Sequence, residues 1–509
     1  MSDNLTEKYR YILAAEDCSP EDFDEIHVFS KYEDKIIRSL IAHGPVLIRG
    51  GRGSGKSALL IKAHNQIKTL HNNIFSVYLS LRHLPLLRSQ GKDYEKIFCR
   101  LLSQSINQEI EKQALECFDL SSVNPDVGEI QQVLVKLSST LKKRVVLFFD
   151  DAAHIGRETS LAEFFDIFRT LSSNTVACKA AIYPGVTKFG TRFDVYNDAT
   201  VIDITRDERM SDFGVFFEDV IKARYPQILE NISSPALQKD NALAWFLGRS
   251  VAGNMRALVF ACNKLTEDED NNKISLEQLT KCLIYLASDY YWPLLEELAP
   301  KLGIYESLIE PSKELGEALF NYVTETKIDN NIEKRKVTDV TTSILIHRDV
   351  VQEYAKLFEI LEYTGFISRR EVSRAMKSGG RGSRYILNLC NLLEKTLGAR
   401  LSTDLFESWK QKNETSEIHR NSSVLKIQLP ELPKEKEPAI LNLGIEKLKK
   451  SRAYPYGLTD DKWEKLSSAG FETIGKLAEA SDEQLKSLDG IGDKWVQRLR
   501  NVVGQAIWM

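Results

Sequence analysis

One short stretch limits the fold of this chain more than anything else in it. Gly50-Gly51-Arg52-Gly53-Ser54-Gly55-Lys56-Ser57 fits the pattern G-x-x-x-x-G-K-[ST]. It follows an apolar run, Pro45-Val46-Leu47-Ile48, and precedes a helical start, Ser57-Ala58-Leu59-Leu60. A buried strand, a curled glycine loop and a helix N-terminus are therefore predicted in that order. Glycines let the loop turn its backbone N–H groups toward a phosphate, and the helix end adds partial positive charge. Residues Gly50 through Ala58 are thus expected to cradle a nucleotide, with Lys56 on the β- and γ-phosphates and Ser57 ligating Mg2+, the nucleotide being ATP.

Such a loop needs a carboxylate at the end of a neighbouring strand to help hold the metal. Arg144-Val145-Val146-Leu147-Phe148-Phe149-Asp150-Asp151 offers five apolar residues running into two acids. Asp150 is expected at the metal, and Asp151 is expected to position or deprotonate the attacking water. The plain alternative for each is an acid that merely ends a buried strand. Asp150-Asp151-Ala152-Ala153-His154 is not read as a separate metal site, because its carboxylates already serve magnesium and His154 lacks partners.

Further strands are predicted at Phe75 to Leu79 and Val176 to Tyr183, with helices between. The fold class expected is α/β, a parallel sheet with helices on both faces, over residues 1–205. Residues 206–310 carry helical periodicity and read as a lid. Residues 311–410 mix helices with a glycine turn, 411–440 are polar and read as a linker, and 441–509 form a small helical unit. With 509 residues, several domains are expected. Seven scattered cysteines, none in a Cys-x-x-Cys pair, read as reduced and mostly buried thiols. No apolar run suits a membrane span, and the polar first twenty residues carry no signal-type stretch, so a cytoplasmic location with no membrane partner is expected.

Three groups of residues carry a family resemblance: Asp150-Asp151-Ala152, the strand end Ala181-Ile182-Tyr183-Pro184-Gly185, and Gly253-Asn254-Met255-Arg256. They resemble AAA+ ATPases, in particular the origin-recognition/initiator branch and the related STAND ATPases, including those of bacterial mobile-element and phage-defence loci. The resemblance covers roughly residues 25–400. It implies that Arg256 senses the γ-phosphate from the lid, and that Arg192, in Thr191-Arg192-Phe193, acts as a finger on a neighbouring subunit of a homo-oligomer. Tyr183 stands where the family commonly has Asn, Thr or Ser. Asp-Asp in place of the usual Asp-Glu shortens the reach to water and implies slow turnover. For each arginine, a plain solvated side chain is the alternative.

Two segments point to double-stranded DNA. Ala355 to Leu361, then Phe366 to Arg370, then a turn at Gly379-Gly380-Arg381-Gly382 and Tyr385-Ile386-Leu387 have the layout of a winged helix. From Arg369 to Arg384 there are six basic residues and one acid, in a chain whose net charge is -4. Arg369, Arg370, Arg381 and Arg384 are the candidate phosphate contacts, with a hairpin docked on protein as the alternative. At the C-terminal end, Leu485 to Leu499 has Gly490 and Gly492 flanking Ile491 and resembles a helix-hairpin-helix motif. Leu466 to Leu477 looks like a degenerate first copy, and Ser481 with Gln484 forms a capping box. Gly490, Gly492 and Lys494 are the candidate phosphate contacts there. Residues 457–509 hold seven Lys/Arg and nine Asp/Glu, which leaves a protein-docking role open.

The leading expectation is an ATPase whose nucleotide state controls assembly on DNA. The competitor is a STAND-like switch that binds ATP and activates a separate effector protein without touching DNA. A P-loop kinase is the third reading, and no acceptor-binding motif supports it.

Overall fold

The computed structural model describes residues 12, 14–115, 120, 124–153, 158–185, 189, 192–267, 273–328, 331–411, 414–422, 424–433, 439–451, 454 and 457–508. Its central element is a five-stranded parallel sheet. The strands are β1 (Val46–Arg49), β2 (Ile74–Ser80), β3 (Arg144–Ala153), β4 (Val176–Ile182) and β5 (Thr200–Asp203), in the order β2-β3-β4-β1-β5. All neighbouring pairs run parallel. The expected α/β class is the one observed.

Burial on both faces explains why these strands read as continuous apolar runs. Alternate residues of a strand point to opposite sides. Val46, Ile48, Val146 and Phe148 pack under the helices Lys31–Ile41 and Lys56–Leu70. Leu47, Val145, Leu147 and Phe149 face the other side, where Gly91–Lys112, Val127–Leu141 and Glu158–Leu171 cover them. In that layer Phe149 meets Phe164 and Phe168 edge to face. Strand β5 was not among the predicted strands. It is four residues long, sits at the sheet edge beside β1 and is only partly buried, so it leaves little periodic signal.

Among the described residues of 206–310 the elements are helices, including Phe213–Arg224, Ala242–Ser250, Met255–Leu265 and Leu276–Leu286, with a π-helical turn at Ala287–Tyr291. One hydrophobic core runs on from them through residue 427, across the predicted boundary at 310. Beyond the small hairpin of β6 (Glu325–Ile328) and β7 (Asn331–Lys334), this core carries a second sheet. Its strands are β8 (Ser343–His347), β9 (Ile367–Ala375), β10 (Arg381–Leu387) and β11 (Ser416–Ile418), in the order β11-β8-β10-β9. Strand β11 lies inside the stretch read as a linker and pairs with β8. The helix Ala355–Thr364 feeds directly into the β9–β10 hairpin.

The C-terminal unit has its own small core, around Leu448, Leu466, Leu477, Leu499 and Ala506. Its helices are Asp460–Ser468, Ile474–Glu479, Asp482–Lys486 and Asp493–Trp508, and the capping box at Ser481 and Gln484 is present. Leu84 and Leu87 of the sheet domain reach into this core, and Arg88 pairs with Glu479. Lys301 Nζ donates to the Gln505 carbonyl at 3.4 Å on the other flank. No helix among the described residues is long and apolar enough to cross a membrane.

Candidate nucleotide site

Strand β1 delivers the glycine loop, and the helix Lys56–Leu70 begins at its lysine. Gly53 and Gly55 have φ of 78° and 91°, the left-handed region that a side chain disfavours. Lys56 Nζ donates to the carbonyls of Gly50 (2.8 Å) and Gly51 (2.9 Å) and lies 3.7 Å from the centre of the Tyr183 ring. Burial pulls the Lys56 ammonium down to about 7, against the opposing pull of Asp151 and Asp150.

The acids converge on the same loop from β3. Asp150 is 1% exposed and accepts from Tyr78 Oη at 2.7 Å, while its other oxygen accepts the Asp151 N–H at 2.9 Å. Burial first, then Asp151 and Glu16, push its carboxyl up to about 8. Asp151 sits at φ 51°, a conformation that costs a non-glycine residue energy and that clusters at functional sites. Its carboxylate is paired with Arg82 Nε at 2.5 Å. Burial raises its proton affinity and Arg82 opposes the shift.

Glu16, Asp150 and Asp151 each offer an oxygen within 4.8 Å of the others. Glu16 also lies in hydrogen-bonding reach of the Ser57 hydroxyl. The Ser57 hydroxyl and the Asp150 carboxylate are hard oxygen donors, which suit magnesium and not a thiophilic metal. The buried Asp150 carboxyl, crowded by like charge, is where a divalent cation would relieve the repulsion. Ser57 and Asp150 therefore fit the metal role read from the sequence.

The lid closes over the loop through backbone contacts. Met255 and Arg256 N–H groups donate to the Gly53 carbonyl at 2.9 and 3.3 Å, and Asn254 Nδ2 donates to the Arg52 carbonyl at 2.7 Å. Arg256 thus begins the lid helix at the loop itself, and it lines the same pocket as Lys56 and Ser57. Burial and then Arg52 depress its proton affinity. Three further residues belong to this site and were not found in the sequence. Arg206 pairs with Glu33 at 2.7 Å and donates to the Ser54 and Gly253 carbonyls. Arg82 follows the end of β2, and Glu16 arrives from a short turn near the start of the chain. Only Arg82 had a usable signal, a cation two residues past a strand that flanks the acidic one.

Gly51 faces the end of the helix Ala355–Thr364. A Cβ there would stand 2.6 Å from the Glu362 carbonyl oxygen and 3.3 Å from that of Tyr363, while Arg52 N–H donates to Tyr363 O at 2.9 Å. The glycine is therefore required by docking of the hairpin region, at a position the loop pattern leaves open. Gly51→Ala is expected to lower stability by about 1–3 kcal/mol, because the obstructing atoms are backbone and cannot swing aside. A urea unfolding curve checks this, and an unchanged midpoint would contradict the contact.

The predicted DNA contacts divide. Arg370 and Arg384 are corrected: their side chains are 1% and 4% exposed and both bind Glu208, at 2.8 and 3.1 Å, so they present no surface to a phosphate. Their charge neutralises a buried acid. Arg369 is half-buried beside Glu362, and its N–H donates to Glu362 Oε1 at 3.0 Å. Arg381 is exposed and folds back on Ser373. Gly490, with φ 75°, and Gly492 form the turn before Asp493–Trp508, with open space around Gly492, and Lys494 is exposed. Arg192 is exposed, its N–H donates to Asp166 Oδ1 at 3.2 Å, and it is not among the residues lining the pocket of Lys56 and Ser57. Thr191 and His154 lie outside the described residues.

No family model matches the chain, and no curated protein matches it. Among solved structures it is similar to the ORC2 protein of Aeropyrum pernix, determined in ADPNP-ADP complexes: 11% identity over 77% of this chain and 96% of that one, TM-score 0.38. It is also similar to Cdc6p of Pyrobaculum aerophilum, at 13% identity over 71% and 91% of the two chains, TM-score 0.33. Domain III of the Thermotoga maritima replication initiation protein DnaA is 17% identical over 52% of this chain and 96% of that one, TM-score 0.29. The fold assignment rests on the strand order and the loop described above.

Proposed function

We propose that this chain binds ATP with magnesium and uses the nucleotide's state to control its assembly on double-stranded DNA, as an ATPase of the AAA+/STAND kind with slow turnover. The observation that carries the reading is the convergence of Lys56, Ser57 and Arg256 on one pocket, with Asp150 beneath it. Lys56 and the loop amides hold the phosphates, Arg256 registers the γ-phosphate from the lid, and Ser57 and Asp150 hold the metal. Magnesium, when bound, would neutralise charge developing on the phosphates. Asp151 orients water once it is free of Arg82, and that added step fits a timer better than a fast motor. Arg192, exposed and away from its own pocket, is assigned to a neighbouring copy's site.

DNA is assigned to the C-terminal hairpin at Gly490, Gly492 and Lys494, with Arg381 and Arg369 of the β9–β10 hairpin as a second contact. Docking of the C-terminal unit on Leu84 and Leu87, just after Arg82, supports a mechanical link between that hairpin and the acids of the nucleotide site. A phage-defence or mobile-element system is the setting proposed for this DNA-bound ATPase. One observation favours the second reading, a STAND-like switch that binds ATP and activates a separate effector protein without touching DNA: Glu208 already engages two of the four predicted wing arginines. The two readings part in one assay. Double-stranded DNA is expected to raise ATP turnover severalfold in the wild type and not in Lys56→Ala, and a flat response at low salt would sink the DNA reading.

A further inference from the structure

The nucleotide pocket has a wall that the glycine loop, the acids and the lid do not supply. Ile12, Ala14, Ala15 and Glu16 line it from the N-terminal side. This segment is fixed at both ends: Arg224 of the lid donates to the Ile12 carbonyl at 2.8 Å, and Ser19 caps the helix Pro20–Ile26. Between them a tight turn, Ala15–Asp17, packs against the helix Lys56–Leu70. The segment thus bridges lid and sheet across the pocket.

Glu16 is the residue of this turn that reaches the reacting end. Its carboxylate stands 3.5 Å from Arg82 Nη2, within hydrogen-bonding reach of Ser57, and close enough to Lys56 to act on its charge. A hydroxyl, a guanidinium, an ammonium and the N-terminus of a 15-residue helix are the groups that receive phosphate oxygens in a loop of this kind. The Glu16 carboxylate stands against two of these, the Arg82 guanidinium and the Ser57 hydroxyl, as an anionic acceptor tethered to the chain, while Lys56 bonds the Gly50 and Gly51 carbonyls.

We propose that Glu16 is a specificity-determining residue of the site: it holds the terminal-phosphate position, so that ATP enters fully only by displacing it whereas ADP does not have to. This inference rests on the assignment of the pocket to a nucleotide. Two anions cannot share one set of donors without strong repulsion, so the third phosphate drives the Ala15–Asp17 turn outward. A diphosphate leaves the turn in place. The N-terminal segment then reports, by its position, which nucleotide is bound.

The test uses the full chain, with ATP and ADP titrated separately in magnesium buffer into wild type, Glu16→Gln and Glu16→Ala. Glutamine keeps the shape and removes the charge, and ADP affinity checks that each variant is folded. Both variants are expected to tighten ATP by about tenfold or more while moving ADP far less, in line with loss of a like charge in a partly buried site. Hydrogen exchange in the Ala15–Asp17 turn is expected to speed up with a non-hydrolysable ATP analogue and not with ADP. An ATP/ADP affinity ratio that does not move overturns the proposal. So does weaker ATP binding in both variants, which would make Glu16 a ligand of the metal. Wild type that binds neither nucleotide would instead defeat the functional reading itself, so the two failures are told apart.

Discussion

Glu208→Ala is expected to destabilise the chain by about 3–5 kcal/mol, the usual cost of removing one partner from a buried charge network. Glu208 is 8% exposed at its side chain and takes Arg370 at 2.8 Å and Arg384 at 3.1 Å, which are buried as deeply. Arg249 stands within its field and is itself buried, spending its own hydrogen bonds on the Leu387 and Thr342 carbonyls. Alanine would leave Arg370 and Arg249 without that acid and Arg384 with only the more distant Glu371, at 3.8 Å. Urea unfolding followed by tryptophan fluorescence reads the loss, since Trp409 lies in the same core and Trp245 packs against it. A midpoint like that of the wild type would mean that Glu371 and solvation, not Glu208, compensate the arginines.

The same residue gives a pH signature. Although burial alone would raise it, Arg370 and Arg249 hold the Glu208 carboxyl down at about 2, against an ordinary value of 4.5. A depressed acid stabilises the folded state above its unfolded value and loses that contribution as pH falls through the folded one. The wild type should therefore lose stability between about pH 4.5 and 2, and Glu208→Gln should lack this part of the loss.

Lys56→Ala is expected to weaken ATP binding by about 10- to 100-fold, because charge-assisted hydrogen bonds contribute about 1.5–3 kcal/mol each. The substitution also removes the two bonds by which the ammonium holds the Gly50 and Gly51 carbonyls. Loss of the loop's shape and loss of its charge act in the same direction. Stability should fall less than in Glu208→Ala, since the substitution leaves carbonyl dipoles rather than buried charges without a partner.

Local signals made the glycine loop and its neighbouring acid legible, and distant ones were invisible. The loop, its flanking strand and Asp150 are contiguous stretches that the spacing brings together, and Arg256, singled out by a short resemblance, lines the same pocket as Lys56 and Ser57. Arg206, Arg82 and Glu16 are separate in sequence and meet only through tertiary packing, as with the contact of Arg206 and Glu33 across 173 residues. The misread arginines have the same origin. A run of basic residues looks solvated until an acid 162 and 176 residues away is folded against it, and no periodicity announces Glu208 as that acid. Edge strands β5 and β11 were missed because four and three residues are too few to show alternation.

Calorimetric titration of the full chain with ATP, in magnesium and again with magnesium chelated, bears most directly on the central claim. A saturable site, one per chain, that weakens without the metal and by about 10- to 100-fold in Lys56→Ala is the predicted outcome. No saturable heat in magnesium buffer, or equal affinity in wild type and Lys56→Ala, would contradict it.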